Sequence, residues 1–292
     1  MKYSIADLEK LSGVRAHTIR IWEQRYKLLE PQRTSTNIRY YNDDQVKRLL
    51  NTVTLVNNGI KISKVSKMTP EETGAFLDQV ENTNTESALE LYVNRMISSG
   101  MEFDETVFDK TFTTCITKYG VYDTFKRIVY PVLRRTGLMW GKDEMNPAQE
   151  HFISNILRQK LITAIDGLPI IQDDKEKWLL FLPQEEDHEV GLLLSSYLLR
   201  SNGKALVYLG QRVPEDSLRE TISAYQPHNL LTFLVHMQRV EDAQEYVDNL
   251  SYWFTGRQAY VAGNDFLLDK IKWPENVAYL KSLDEFLNKI EQ

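Results

Sequence analysis

The stretch Glu186-Asp187-His188-Glu189-Val190-Gly191 follows a short apolar run at 178–182 and precedes an apolar helical pattern at 190–199. Strand, loop and helix in that order place the loop at the carboxyl end of a strand, where open α/β sheets bind ligands. A histidine there, with a carboxylate two residues before it and a glycine three after, suits a single-histidine metal ligand. The Glu186 carboxylate can accept the other ring N–H and fix the tautomer. Gly191 would let a flat ligand approach the backbone. The same six residues also read as a solvated surface loop, so their surroundings must decide.

Downstream, apolar runs at 205–209, 230–235, 259–262 and 277–280 alternate with helical patterns, and a last helix covers 283–290. Five strands alternating with helices predict a parallel, doubly wound sheet of flavodoxin-like (Rossmann-like) form. Its crevice would collect the loops after the first, third and fourth strands: 186–191, the end at Thr232 and Leu234, and Ala262-Gly263-Asn264.

Upstream lies a stretch of helical pattern in four pieces, 86–98, 104–119, 121–139 and 147–165, punctuated by Gly100, Gly120 and Gly141. Loops this short make neighbours antiparallel, so a four-helix bundle is expected. Pro131 should kink the third helix. Asn146-Pro147-Ala148-Gln149 reads as N-cap, N1 proline and capping-box glutamine. Glu150 and His151 then fall in the first turns of the fourth helix, across the connection from Trp140. An indole, a carboxylate and an imidazole at one bundle end can cap a ligand. Equally, Trp140 is a core aromatic and the other two a partly exposed polar pair.

Composition separates the front of the chain from the rest. Residues 1–68 carry 13 Lys/Arg against 6 Asp/Glu, net +7, whereas the remainder carries 22 against 35, net −13. A basic head on an acidic body points to nucleic-acid binding joined to a sensing or assembly module. The single cysteine, Cys115, excludes an internal disulfide and fits a buried thiol in a reducing compartment. The chain becomes charged within ten residues, lacks a signal-peptide core and has no apolar run long enough for a bilayer. A cytoplasmic protein without membrane association is expected.

Within the head, Ser4 and Asp7 form a capping-box pattern ahead of Ile5, Leu8 and Leu11, and Ser12-Gly13 ends the helix. A second helix over 15–26 turns Ile19 and Trp22 inward and spreads His17, Thr18, Arg20 and Arg25 over its surface. Two short helices joined by a glycine-containing turn make a helix-turn-helix. Pro31 starts an extended piece, 35–37 turns, and 38–41 returns as a wing with Arg33, Arg39, Tyr40 and Tyr41, side chains that hold phosphates. Helices at 43–57 and 62–68 complete it.

These residues carry a resemblance. The run T-I-R-x-W-E-x-R-Y at 18–26, with P-x-R at 31–33 and I-R-Y-Y at 38–41, resembles the winged helix-turn-helix of the MerR family of transcription regulators, most of all the branch with cobalamin-binding bodies. The C-terminal pattern is similar to the corrinoid-binding fold, whose motif D/E-x-H-x-x-G is followed by S-x-L and then G-G. Glu186-x-His188-x-x-Gly191, Thr232-x-Leu234 and Ala262-Gly263 match it in order and spacing. The resemblance implies His188 as the lower ligand to cobalt and a nucleotide tail threaded between the other two motifs. Two positions depart from it: Thr232 stands for serine and Ala262 for the first glycine, each adding a methyl. Trp140 with Glu150 and His151 resembles the W-x9-E-H motif of the CarH/LitR-type cobalamin photoreceptors, with Pro147 where a valine is usual. That implies Trp140 and Glu150 over an adenosyl group, with His151 able to reach cobalt after light removes it.

The expected organisation is a MerR-type head over 1–70, a linker over 71–85, a four-helix bundle over 86–167 and an α/β cobalamin-binding domain over 175–292. DNA contacts are expected from Arg15, His17, Thr18, Arg20, Arg25, Arg33, Arg39 and Tyr40. The cofactor is expected to be adenosylcobalamin, held by Trp140, Glu150, His151, Glu186, Gly191, Thr232, Leu234, Ala262 and Gly263, with His188 on the metal. The partners are a double-stranded DNA operator and further copies of the chain, as dimer or tetramer. The implied role is a repressor that senses adenosylcobalamin, and light through it, and not an enzyme. Two other readings stand beside it: a DNA-binding regulator with a vestigial, cobalamin-independent oligomerisation body, and a corrinoid carrier module of a methyltransferase or mutase, which leaves the basic head unexplained.

Overall fold

A computed structural model describes residues 2–34, 37–83, 86–140, 147–172 and 175–291, the side chains of 138–140 excepted. The chain divides into two compact units, Met1–Ile153 and Ser154–Gln292.

In the first unit, α1 (Ile5–Ser12) starts at a true capping box: Ser4 Oγ accepts from Asp7 N at 3.3 Å and Asp7 Oδ2 from Ser4 N at 2.5 Å. It stops at Gly13, whose φ of 69° few other residues adopt readily. The helix α2 (Ala16–Tyr26) follows, with Ile19 buried and Trp22 half-buried. The wing is a two-stranded antiparallel ribbon, β1 (Gln32–Arg33) against β2 (Arg39–Tyr40). An isolated bridge from Tyr3 to Tyr41 ties the wing to the N-terminus. The helices α3 (Asp43–Asn57) and α4 (Ile62–Val65) complete the winged helix-turn-helix.

The stretch expected as a linker, 71–85, is largely helical. Most of it forms α5 (Pro70–Glu81), capped by Thr69 and Glu72 with proline in its first turn. Its apolar residues Leu77 and Val80 are buried with Leu55, Val65 and Leu91. That pairing has meaning only once α3 and the bundle are in place, so local composition hid it. Asn84 and Thr85 lie outside the described residues.

The helices expected to form the bundle are α6 (Glu86–Glu102), α7 (Glu105–Thr124), α8 (Tyr130–Trp140) and α9 (Pro147–Asp166), the last running from the first unit into the second. Gly100 does not end α6. It sits inside the helix because a Cβ there would stand 2.5 Å from the Ile153 side chain. Gly120 does break the ladder, at φ 74° and ψ 173°. The kink expected at Pro131 takes the form of a π-helical turn, Phe125–Val129, just before it. Tyr130 N bonds Phe125 O, five residues back, where the ladder is about to lose the proline's donor. Gln149, expected as a capping-box side chain, is instead fully buried and donates from Nε2 to Met101 O at 2.7 Å. Asn146 and Gly141 fall outside the described residues.

The second unit holds five parallel strands, β3 (Lys177–Pro183), β4 (Ala205–Val213), β5 (Asn229–Leu234), β6 (Gln258–Gly263) and β7 (Val277–Tyr279), in the order β4-β3-β5-β6-β7. Between them run α10 (Val190–Ser201), α11 (Glu215–Tyr225), α12 (Val240–Trp253) and α13 (Asp265–Leu268), with α14 (Leu283–Ile290) last. Six consecutive residues of β3, Trp178 to Pro183, are buried, as a strand covered on both faces requires. The core joins Leu179, Phe181, Leu230, Val247, Leu250 and Val261. The chain goes from β3 outward to β4 and returns to β5, so the order reverses between β3 and β5. A doubly wound sheet opens its ligand crevice at that point. Among the described residues, no helix is long and apolar enough to cross a membrane.

Candidate metal centre and nucleic-acid face

The loop after β3 is built around one carboxylate. Glu186 is 3% exposed, and a charge taken out of water must be matched by donors. Its Oε1 accepts from the backbone N–H groups of Asp187 and His188, both at 3.1 Å. Its Oε2 accepts from Val235 N and His236 N, both at 2.7 Å, in the loop after β5. The switch point thus supplies two donors from the neighbouring strand's end. A fifth partner is His188 Nδ1, 2.5 Å from Oε1. Burial alone would raise this carboxyl, but the His188 ring and the backbone groups of His236, Val235 and His188 outweigh it and hold it down to about 2. An ionised acceptor obliges Nδ1 to carry the proton, and the neutral imidazole then presents its lone pair on Nε2.

Glu186, Asp187 and His188 lie close enough to offer three ligand atoms within 4.8 Å. Two of the three are already used. Glu186 is saturated by its five donors, and Asp187 pairs with Arg212 at 2.9 Å. What the loop offers a metal is one oriented imidazole, one-third exposed. That donor set fits a metal whose other ligands come from a macrocycle and not from the protein.

The other two expected elements stand beside it. Thr232 is fully buried, and its Oγ1 has no hydrogen-bond partner among the described residues. An orphaned buried hydroxyl costs about 1–3 kcal/mol, which a polar group threaded past the end of β5 would recover. Gly263 has φ 143°, and a Cβ there would lie 2.1 Å from Leu234 O. Leu234 and Gly263 are register partners, so only glycine lets the two strand ends close together. The half-buried Ala262 precedes it. An oriented imidazole and a buried hydroxyl without a partner among the described residues fit a corrinoid with a polar tail, while the glycine at 263 serves the closure of the two strand ends. Gly191 differs from its expectation. The space its missing side chain leaves is taken by Phe233, whose ring carbon would be 2.7 Å from a Cβ.

In the first unit, Glu150 Oε2 lies 3.2 Å from His151 Nδ1, with the His151 side chain well exposed and that of Glu150 partly covered. Trp140 ends α8, and its side chain lies outside the described residues. On the head, Arg15, His17, Arg20, Arg25 and Arg33 are exposed, and Thr18, Arg39 and Tyr40 are half-exposed. The wing is braced to α2 through Glu23, which accepts from Arg39 Nε at 3.2 Å and Tyr41 Oη at 2.9 Å. Tyr40 Oη donates to Gln32 Oε1 at 2.5 Å and Arg33 Nη1 to Asn37 Oδ1 at 2.7 Å.

Sequence reasoning passed over Phe233, Arg158, Tyr208 and the side chain of Glu189. No motif marks them. Arg158 and Tyr208 lie 31 and 19 residues from Glu189 in sequence and reach it only through the fold.

Residues 3–72 match the family model of the MerR HTH family regulatory protein, and residues 92–164 match that of the B12 binding domain. These two matches put a MerR-type HTH segment and a B12-binding segment in one chain, which supports a DNA-binding transcriptional regulator that senses cobalamin. The chain is similar to the HTH-type transcriptional repressor CarH of Myxococcus xanthus, 27% identical over 252 residues covering 85% of this chain and 84% of that protein. It is also similar to the repressor CarA of the same organism, 24% identical over 246 residues covering 83% and 80%. The monomethylamine corrinoid protein of Methanosarcina barkeri has a like fold, with a TM-score of 0.51 and 13% identity over 67% of this chain and 95% of that one.

Proposed function

We propose that the chain is a light-responsive repressor that holds adenosylcobalamin, with His188 as the lower ligand to cobalt. The observation that carries this reading is the His188–Glu186 pair at 2.5 Å, seated on four backbone N–H groups where the strand order reverses. Glu186 stays ionised and holds the Nδ1 proton, so Nε2 is delivered as a neutral donor. Thr232, Leu234, Ala262 and Gly263 receive the nucleotide tail, and the extra methyls of Thr232 and Ala262 narrow its path. Trp140 and Glu150 cover the upper ligand. Bound adenosylcobalamin supplies a cobalt–carbon bond that green light breaks. His151, whose Nδ1 lies 3.2 Å from Glu150 Oε2, would be the second imidazole able to reach the metal once the upper group is lost. The two ligand states favour different homo-oligomers, one that holds a DNA operator and one that leaves it. The head reads the operator through Arg15, His17, Thr18, Arg20, Arg25, Arg33, Arg39 and Tyr40, in the cytoplasm.

Phe233 packed against Gly191 favours a second reading, in which the body only oligomerises and cobalamin plays no part. One experiment separates the two: absorption spectra of the protein with adenosylcobalamin, before and after green light, alongside retention on operator DNA. Binding in the dark, bleaching in light and loss of DNA retention support the first reading. DNA binding with no spectral change on mixing supports the second.

A further inference from the structure

Glu189 follows His188 and precedes α10, yet its side chain makes no capping bond to that helix. The carboxylate turns inward, its side chain 9% exposed, and meets two donors from distant parts of the second unit. Tyr208 Oη, on β4, donates to Oε1 at 2.8 Å. Arg158, on α9, donates to Oε2 from Nε at 2.8 Å and lies 2.7 Å away through Nη2. Arg158 is itself set by Asn155, whose Oδ1 accepts from Nη1 at 3.1 Å one turn earlier. Burial first, and then the charge and hydrogen bond of Glu189, push the Tyr208 hydroxyl up, so it remains the donor. Gly210 adopts φ 78°, a conformation that favours glycine, as β4 passes beside the carboxylate.

The backbone beside Glu189 has little slack. Glu189 N donates to Asp187 O at 2.8 Å, while Asp187 and His188 donate to Glu186. Holding the Glu189 side chain therefore holds the main chain that carries His188. Glu186 sets the tautomer of the ring, and Glu189 sets the place from which the ring is offered. A buried carboxylate robbed of its cation is strongly disfavoured, so the tie is not easily exchanged for water.

We propose that Arg158, acting through Glu189 with Tyr208, is a positioning residue that ties the His188 loop to α9, so that the loop keeps one geometry and follows the helix. Its functional meaning rests on His188 being the cobalt ligand, but the tie belongs to the chain alone. The helix α9 also carries Glu150 and His151 in its first turns. A displacement of α9 thus acts on Glu189 through a bonded contact.

The test compares the full chain with Arg158→Met, Arg158→Lys, Glu189→Gln, Tyr208→Phe and the double variant Arg158→Met/Glu189→Gln. The first readout needs no ligand: hydrogen exchange at the amides of Asp187, His188 and Glu189, with those of Leu230 and Val261 reporting that the sheet is folded. Arg158→Met should speed loop exchange about tenfold or more, with sheet amides unchanged, and the double variant should be no worse than the worse single one. The second readout is the fraction of bound hydroxocobalamin whose spectrum shows an imidazole ligand. It should fall in Arg158→Met and recover in part in Arg158→Lys. Loop exchange equal to wild type in a folded Arg158→Met protein would overturn the tie. Faster exchange with an unchanged imidazole-ligated fraction would overturn the positioning role. If Arg158→Met loses sheet protection, Glu189→Gln, which removes the charge that Arg158 pairs with but keeps the side chain's shape, decides in the same way. Should the wild type take up no hydroxocobalamin, the proposed function fails while the exchange experiment still decides the tie.

Discussion

A carboxylate cut off from water must take its donors from the protein, and Glu186 takes four from the backbone at the ends of two adjacent strands. Replacing it by alanine leaves Val235 N and His236 N without acceptors. We expect a local cost of about 2 kcal/mol, read as roughly 30-fold faster amide exchange at those two positions. The two site glycines should respond unequally. Gly263→Ala drives a methyl into Leu234 O, which is backbone and cannot yield, and should cost about 3 kcal/mol or more. Gly191→Ala meets only the Phe233 ring, which can turn, and should cost about 1–3 kcal/mol. Thermal unfolding of the pair should therefore show the larger fall in Tm for Gly263→Ala. Cys115 gives the pH prediction. Burial pushes its thiol from 9.0 up to about 12. The native protein should leave a thiol reagent unreacted at pH 8. Because the folded value is raised, the thiol's contribution to stability is complete below pH 9.0 and is lost as pH rises towards about 12. Reaction of native protein at pH 8, at a rate matching unfolded chain, would contradict that burial.

Elements were readable where a local signal and the tertiary structure ask for the same thing. Buried apolar runs gave away the five strands, and the capping box at Ser4 and the glycine at position 13 bounded α1. The loop holding Glu186 and His188 was legible because both partners lie in one short stretch. The rest needed contacts that sequence does not display. The start of α5 carries a capping box, but its purpose is the packing of Leu77 and Val80 against Leu55, Val65 and Leu91. Gly100 resembles a helix stop and is instead a point of close approach to Ile153. The strand β4 runs to Val213, beyond its apolar run, because register shifts opposite β3 and positive φ at Gly210 and Arg212 carry it past the loop. That extension brings Arg212 to Asp187, which no spacing rule foretells. Thr69→Ala removes the cap of α5 and should destabilise the first unit by about 1 kcal/mol, measurable as lower protection along Pro70–Glu81. Protection unchanged there would show that packing alone holds the helix.

At the scale of the whole molecule, charge is divided along the chain: net +7 over residues 1–68, where Arg15, Arg20, Arg25 and Arg33 are exposed, and net −13 over the rest. The head should bind operator DNA with strong salt dependence, each neutralised phosphate contributing roughly −0.9 to the log–log slope. Removing Arg15 or Arg33, both exposed, should reduce that slope by about 1 without altering cobalamin binding. A slope unchanged by either substitution would place the DNA face elsewhere. The central claim concerns His188, and a dark titration with adenosylcobalamin followed by absorption tests it most directly. Wild type should bind with the spectrum of an imidazole-ligated corrinoid. Glu186→Gln should bind more weakly by about tenfold or more, and His188→Ala more weakly still, with loss of the imidazole signature. A His188→Ala affinity equal to that of wild type would show that this imidazole does not hold cobalt.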